Sequence, residues 1–341
     1  CINVTLQNKL PNNPPDQQSF NLLQPIIEGF NFNQLHESAR VGLHPQLVAV
    51  NNFTDDGASV GFNRDSTVAP GGSETYTWYA GDPQFSSSGS FGSSGSNSAG
   101  SVQAPIEFGA TSLRDWGDAI KHGSHGAGGA LVIEPQGSEW TTDPGTNASA
   151  TVTDSRDNLL FREFVVVVHD DLTMDSDFPF PDPGGFRAGL QNGTDAVLQN
   201  HGGDEVEDAG QKGINLRTEV LSNRLGQATE FDTDASNQID QPNDFSSTAS
   251  LPGCGGACGD PVTPVFTAHV GTPVRFRLVY PAGHNREHGF TIHGHNFQEE
   301  PWTNNSTVLG SNPNSELPGA LSNLSVPAAF NLLMTAGGRM G

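Results

Sequence analysis

Lysine is almost absent from this chain: Lys9, Lys121 and Lys212 are the only three in 341 residues. With 15 basic against 38 acidic side chains the net charge is −23. So acidic a surface is expected to repel nucleic acid and anionic membranes, and no nucleic-acid partner is expected. It also keeps a protein soluble where concentrated salt screens charge, so a halophilic source is expected. Cysteine is scarce too. Cys254 and Cys258 lie in "GCGGACGD", and Cys1 is the first residue. A C-x3-C pair alone falls short of the four ligands that structural zinc wants. The alternative is a local disulfide, which implies an oxidising compartment, and the spacing leaves both open. No run reaches the roughly 18 apolar residues of a membrane span, and none reads as a signal peptide. The opening "CINVTLQNKL" alternates like a strand under way, and "LLMTAGGRMG" lacks a closing element. Both ends read as cuts through a longer protein. No Ser-His-Asp motif, Walker loop or dinucleotide fingerprint is present, which argues against phosphate cradling.

What is abundant is glycine and proline, 41 and 23 residues, with only 16% charged side chains. That composition suits short strands joined by turns and suits helix bundles poorly. Strand-like runs recur at "INVTL" (Ile2), "QLVAV" (Gln46), "TYTWYA" (Thr75), "ALVIEP" (Ala130), "EFVVVVHDDL" (Glu163), "VRFRLVY" (Val274), "FTIHG" (Phe290) and "FNLLMTA" (Phe330). The expected fold is all-β, two β-sandwiches in tandem. The first spans 1–136 and carries a Ser/Gly-rich surface loop at 85–101. Residues 137–158 read as a polar linker, and 159–341 as the second sandwich with a long excursion near 228–259.

Chemistry concentrates in "EHGFTIHGHNFQEEPW", where His288, His293 and His295 fall within eight residues. Side chains two apart in a strand share a face, so His293 and His295 are expected to present both imidazoles to one ion. Imidazole suits copper, zinc, iron and nickel. A zinc hydrolase built on this pair wants further His or Asp ligands soon after, and Asn296, Phe297 and Gln298 follow instead. Asp170 and Asp171, beside His169, read as carboxylates near a site or as a solvated strand end.

A faint internal repeat pairs "CINVTLQNKLP…VGLHPQLV" with "PVRFRLVYPAG…FTIHGHNF", matching His44 to His293 and Gln46 to His295. With "KHGSHGAGGALVIEP" and the "HGH-x-F" strand, these stretches resemble the multicopper oxidase family, built from cupredoxin β-sandwiches. The likeness is to its long bacterial and archaeal members, manganese-oxidising types among them. The resemblance implies bound copper and an exported protein, extracellular, cell-surface or periplasmic. It further implies electron transfer from a small reductant or metal ion to O2.

Residue by residue, the resemblance places His288 at a type 1 copper position and His293 at a type 3 position, with Thr291 where a type 2 ligand belongs. Alternatively His293 and His295 play the first-domain H-x-H role. His44 keeps its place while Gln46 replaces its partner. His122 stands before Gly126, with His125 beside it and Ala127 in place of the axial methionine. The set is incomplete, which supports a second hypothesis: a catalytically inactive copper-binding or structural cupredoxin array.

No cysteine lies between Cys1 and Cys254, and a blue site needs a thiolate. The isolated chain is therefore expected to develop no intense blue colour with Cu(II). A blue solution that bleaches on reduction, in a visible spectrum, would refute the ligand argument.

Overall fold

The computed structural model describes residues 1–14, 37–83, 102–124, 126–144, 148–172, 211–215, 219–220, 243–244, 265–283, 287–299 and 301–337. The loop expected at 85–101 lies outside them, as does all of the 228–259 excursion except 243–244. Among the described residues the chain is nearly all β. The first part holds β1 (Ile2–Gln7), β2 (Leu43–Pro45), β3 (Ser73–Trp78), β4 (Gly81–Pro83), β5 (Val102–Pro105) and β6 (Gly109–Asp115). One helical turn, α1 (Lys121–Ser124), precedes β7 (Gly128–Ile133). Then come β8 (Glu139–Thr142), β9 (Ser149–Thr153), β10 (Leu159–Leu172), β11 (Gln211–Ile214), β12 (Glu219–Val220) and β13 (Asn243–Asp244). The chain closes with β14 (Pro273–Gly283), β15 (His288–Thr291), β16 (Ala320–Leu324) and β17 (Ala329–Thr335).

Period-2 sequence becomes period-2 burial. Strand β1 turns Ile2, Val4 and Leu6 inward and pairs antiparallel with β3, setting Val4 opposite Tyr76 and Ile2 opposite Trp78. On the outer face Thr5 and Thr75 share a hydroxyl hydrogen bond at 2.9 Å. The β2-β6-β7 sheet supplies Leu43, Leu113, Leu131 and Ile133 to the same core. Buried Tyr76 donates its hydroxyl to the Ser66 carbonyl at 2.7 Å, and the Trp78 indole N–H reaches the Asp55 carbonyl at 2.9 Å. Both rings thus bury their area without an orphaned polar atom.

The second sheet runs β17-β14-β10-β9-β8, with β11 against the far end of β10. Strands β10 and β14 are parallel neighbours at its centre, covered on both faces. This is why "EFVVVVH" reads as a continuous apolar run rather than an alternating one. Phe164, Val166, Leu278, Tyr280 and Leu332 face a core closed from the other side by Phe290, Leu321 and Leu324 of the β15–β16 pair. Each such fully buried side chain contributes about 1.5–3 kcal/mol. Residues 137–158, expected to be a linker, instead carry β8 and β9, the outermost strands of this sheet. Ala150 and Val152 are buried there, so the Ser/Thr-rich stretch hides an ordinary alternating strand.

The two halves meet sheet against sheet. Strand β6 opposes Ala110 to Val132, Ser112 to Ala130 and Arg114 to Gly128, a row with small members throughout. A Cβ at Gly128 would stand 2.9 Å from Pro281 Cβ, so glycine lets β7 approach β14. Arg277, fully buried on β14, fans into this interface. Its Nε donates to Glu163 at 2.7 Å, Nη1 to Asn331 at 2.8 Å, and Nη2 to both Glu134 oxygens at 3.2 Å. Asn331 passes the link across: Oδ1 accepts from Ala110 N–H at 2.8 Å, and Nδ2 donates to the Phe108 carbonyl at 2.9 Å. Beside it Arg275 pairs with Glu107, and its guanidinium lies 3.9 Å from the Phe161 ring centroid.

Gly109 holds φ +64, and a Cβ there would run into Asn331 and Arg277. Gly109→Ala is expected to cost about 2–4 kcal/mol, from backbone strain and overpacking together. Gly129→Ala, where a Cβ meets nothing within 4 Å, is expected to stay within about 0.5 kcal/mol of the parent. Denaturant unfolding of both variants checks the contrast.

Candidate metal centre

The HGH segment is a turn, not a strand. Strand β15 ends at Thr291, and His295 N–H then closes onto the Ile292 carbonyl at 3.2 Å. Gly294 takes φ +78, the left-handed conformation that the third residue of such a turn requires. Period-2 alternation stops there, so the expectation that His293 and His295 share one strand face is corrected. His293 is exposed, and neither ring nitrogen has a hydrogen-bond partner among the described residues. His295 is tied on both sides: Nδ1 meets the His293 carbonyl at 3.2 Å, and Nε2 accepts the Gly337 N–H at 3.1 Å. That pair of bonds fixes one neutral tautomer and anchors the turn to the chain just beyond β17. His288 is half-buried within β15, opposite Leu324, its ring tilted against Tyr280 at 5.8 Å.

The histidines of the first half are drawn into local structure. His44, on β2, meets the Asp56 carbonyl through Nδ1 at 2.8 Å and stacks flat on Trp116, centroids 3.8 Å apart at 6°. His122, on α1, is buried at 4% exposure, and both its nitrogens are engaged. Nδ1 lies 2.8 Å from Asp115 Oδ2 and Nε2 lies 2.8 Å from the Ser38 carbonyl. Burial disfavours the cation here, but the Asp115 carboxylate, the Ser38 carbonyl and Asp118 outweigh it and hold the pKa above the ordinary value. An imidazole donating through both nitrogens has no lone pair for a metal. His125 lies outside the described residues, as do Cys254 and Cys258.

Among the described residues, no three His, Cys, Asp or Glu side chains converge to hold a metal ion. Of the expected ligands, the five that are described, His44, His122, His288, His293 and His295, do not converge into a metal-binding group. Spacing in the sequence also gave no hint of the buried ionic cluster around Arg277, whose Glu134 and Glu163 partners are 143 and 114 residues away. Burial, then the neighbouring Glu163, push the Glu134 carboxyl far above its ordinary range, against the pull of Arg277. His169 was similarly unmarked. It is fully buried on β10, and neither ring nitrogen finds a partner of hydrogen-bonding geometry among the described residues. Burial drives its pKa down to about 4, although the nearby Ala282 backbone opposes the shift.

No family profile matches the chain, and no curated protein sequence does. A solved structure described as a crystal structure of a multicopper oxidase superposes with a TM-score of 0.37 at 13% identity. The superposition covers 87% of this chain and 60% of that one, so the chain spans less than two thirds of that protein. The all-β assignment rests on the strands themselves.

His169 gives a pH dependence. The folded form holds the neutral ring, so its contribution is complete above the unfolded value of 6.5 and is lost as pH falls from there toward about 4. At about 1.36 kcal/mol per pKa unit, the loss is on the order of 3 kcal/mol. Urea unfolding of the parent between about pH 7 and pH 4 is expected to show this loss, and His169→Leu to lack it. Parallel profiles for the two proteins would remove His169 from the account.

Proposed function

We propose that the chain is a pair of cupredoxin-type modules of multicopper oxidase kind serving as a structural, non-redox unit of an exported, salt-adapted protein. The observation that carries this reading is the use made of the imidazoles. His122 spends both nitrogens on Asp115 and Ser38, and His295 spends both on the backbone. His44 spends one on Asp56 while its ring is covered by Trp116. These three side chains, which a copper site would recruit, are committed to holding a turn or a strand end in place. The sheet-to-sheet contact through Arg277 supports the same reading, because its buried polar groups join the two modules rather than line a reaction site.

A second reading is a copper-dependent oxidoreductase, manganese-oxidising types included, that passes electrons from a small reductant or metal ion to O2. One observation favours it: His293 presents an exposed imidazole with both nitrogens open among the described residues.

Calorimetric titration with Cu(II) separates the two. On the structural reading, the parent and a His293→Ala, His295→Ala double variant give superimposable isotherms without a saturable site. A saturable site in the parent, weakened at least tenfold in the double variant, overturns that reading in favour of the second.

A further inference from the structure

Where the two sheets part, beyond the Arg277 cluster, a cavity of about 230 Å³ opens. Ile120 and Ala127 wall it from the first half, and Pro281, Ala282 and Val326 from the second. Arg114 supplies the charge. Its row on β6 faces β14, and its cross-strand neighbour Gly128 has no side chain to cover it. The guanidinium is half-buried, yet among the described residues it makes no ion pair and no side-chain hydrogen bond. Burial accordingly lowers its pKa, with no carboxylate to oppose the shift.

The adjacent carboxylate does not neutralise it. Asp115 Oδ1 accepts the Gly42 and Gly117 N–H groups at 2.8 and 2.7 Å, and Oδ2 is taken by His122 at 2.8 Å. One step deeper on the same face of β6, the Ser112 hydroxyl is buried without a partner. In a chain of net charge −23, this cleft, lined also by Asp115, presents a cation without an ion-pair partner among the described residues, and its apolar walls focus that field on an incoming anion.

We propose that this cleft binds a small organic monocarboxylate, its carboxylate paired with the Arg114 guanidinium and its apolar body against Ile120, Pro281 and Val326. A planar guanidinium matches a carboxylate through two parallel N–H···O bonds. The cavity is smaller than the roughly 300 Å³ at which drug-sized sites begin, which restricts the ligand to a ring or short branched chain. A bare inorganic oxyanion would lose hydration against the apolar walls without replacing it, which disfavours sulfate or phosphate.

The test is a ligand-observed NMR titration of the full chain with benzoate, benzamide and sulfate. Benzoate is expected to bind saturably, and benzamide and sulfate at least tenfold more weakly. Arg114→Gln is expected to weaken benzoate at least tenfold while circular dichroism and melting temperature match the parent, and Arg114→Lys to recover part of the loss. Should Arg114→Gln fail to fold, Ala119→Phe at the exposed rim of the cavity is expected to block benzoate equally well. No saturable benzoate binding, or binding indifferent to both substitutions, overturns the site. Sulfate binding as tightly as benzoate overturns the choice of an organic carboxylate.

Discussion

The Arg277 guanidinium decides how this molecule is assembled. It is completely withdrawn from water between two sheets, where an unpaired charge would cost several kcal/mol. Everything around it answers that demand. Glu163 comes from the neighbouring strand of its own sheet, Glu134 from the end of β7 in the other half, and Asn331 from β17. Asn331 then binds the backbone at Phe108 and Ala110, and Gly109 between them takes a left-handed turn to make room. With Arg275 and Glu107 beside it, the cluster contains three carboxyls and two guanidiniums. One carboxyl is thus in excess, and burial together with the neighbouring Glu163 raises the Glu134 pKa, which favours its protonated form. Separating the sheets exposes a charge pattern that only their contact completes.

The same economy governs the histidines. Burying an imidazole is tolerable when its nitrogens are matched, as a carboxylate and a carbonyl match those of His122, and half-buried His295 is matched by backbone groups. His169 departs from this rule, and its neutral, partnerless ring is correspondingly a point of acid weakness.

Much of the fold was legible in the sequence, because alternation and burial obey the same period. β1, β3 and β17 appear where "INVTL", "TYTWYA" and "FNLLMTA" predicted them, and the VVVV run marked a strand covered on both faces. The linker expectation failed because Thr and Ser dilute the alternation of β9, leaving Ala150 and Val152 as its only clear apolar signal. The HGH expectation failed for a conformational reason: a glycine between two histidines fits a strand and a turn equally well, and the contacts of Phe297 and Gly337 select the turn. In "VRFRLVY" the arginines occupy the phase of a solvent-facing row. Nothing local says that a second sheet will cover them, since the partners are more than a hundred residues away.

The parallel contact of β10 with β14 also bears on how the chain reaches this state. The 100 residues from 173 to 272 separate two strands that lie side by side. Loop-closure entropy grows only logarithmically, so that span costs about 1.2 kcal/mol more than one a quarter as long. The sheet therefore tolerates large changes of length between its central strands at little equilibrium cost. The burden falls on the folding rate instead, because the central pairing must wait for a distant encounter. Until then β10 carries an open, strongly apolar edge, and the window for association with other chains is set by the time taken for β14 to arrive.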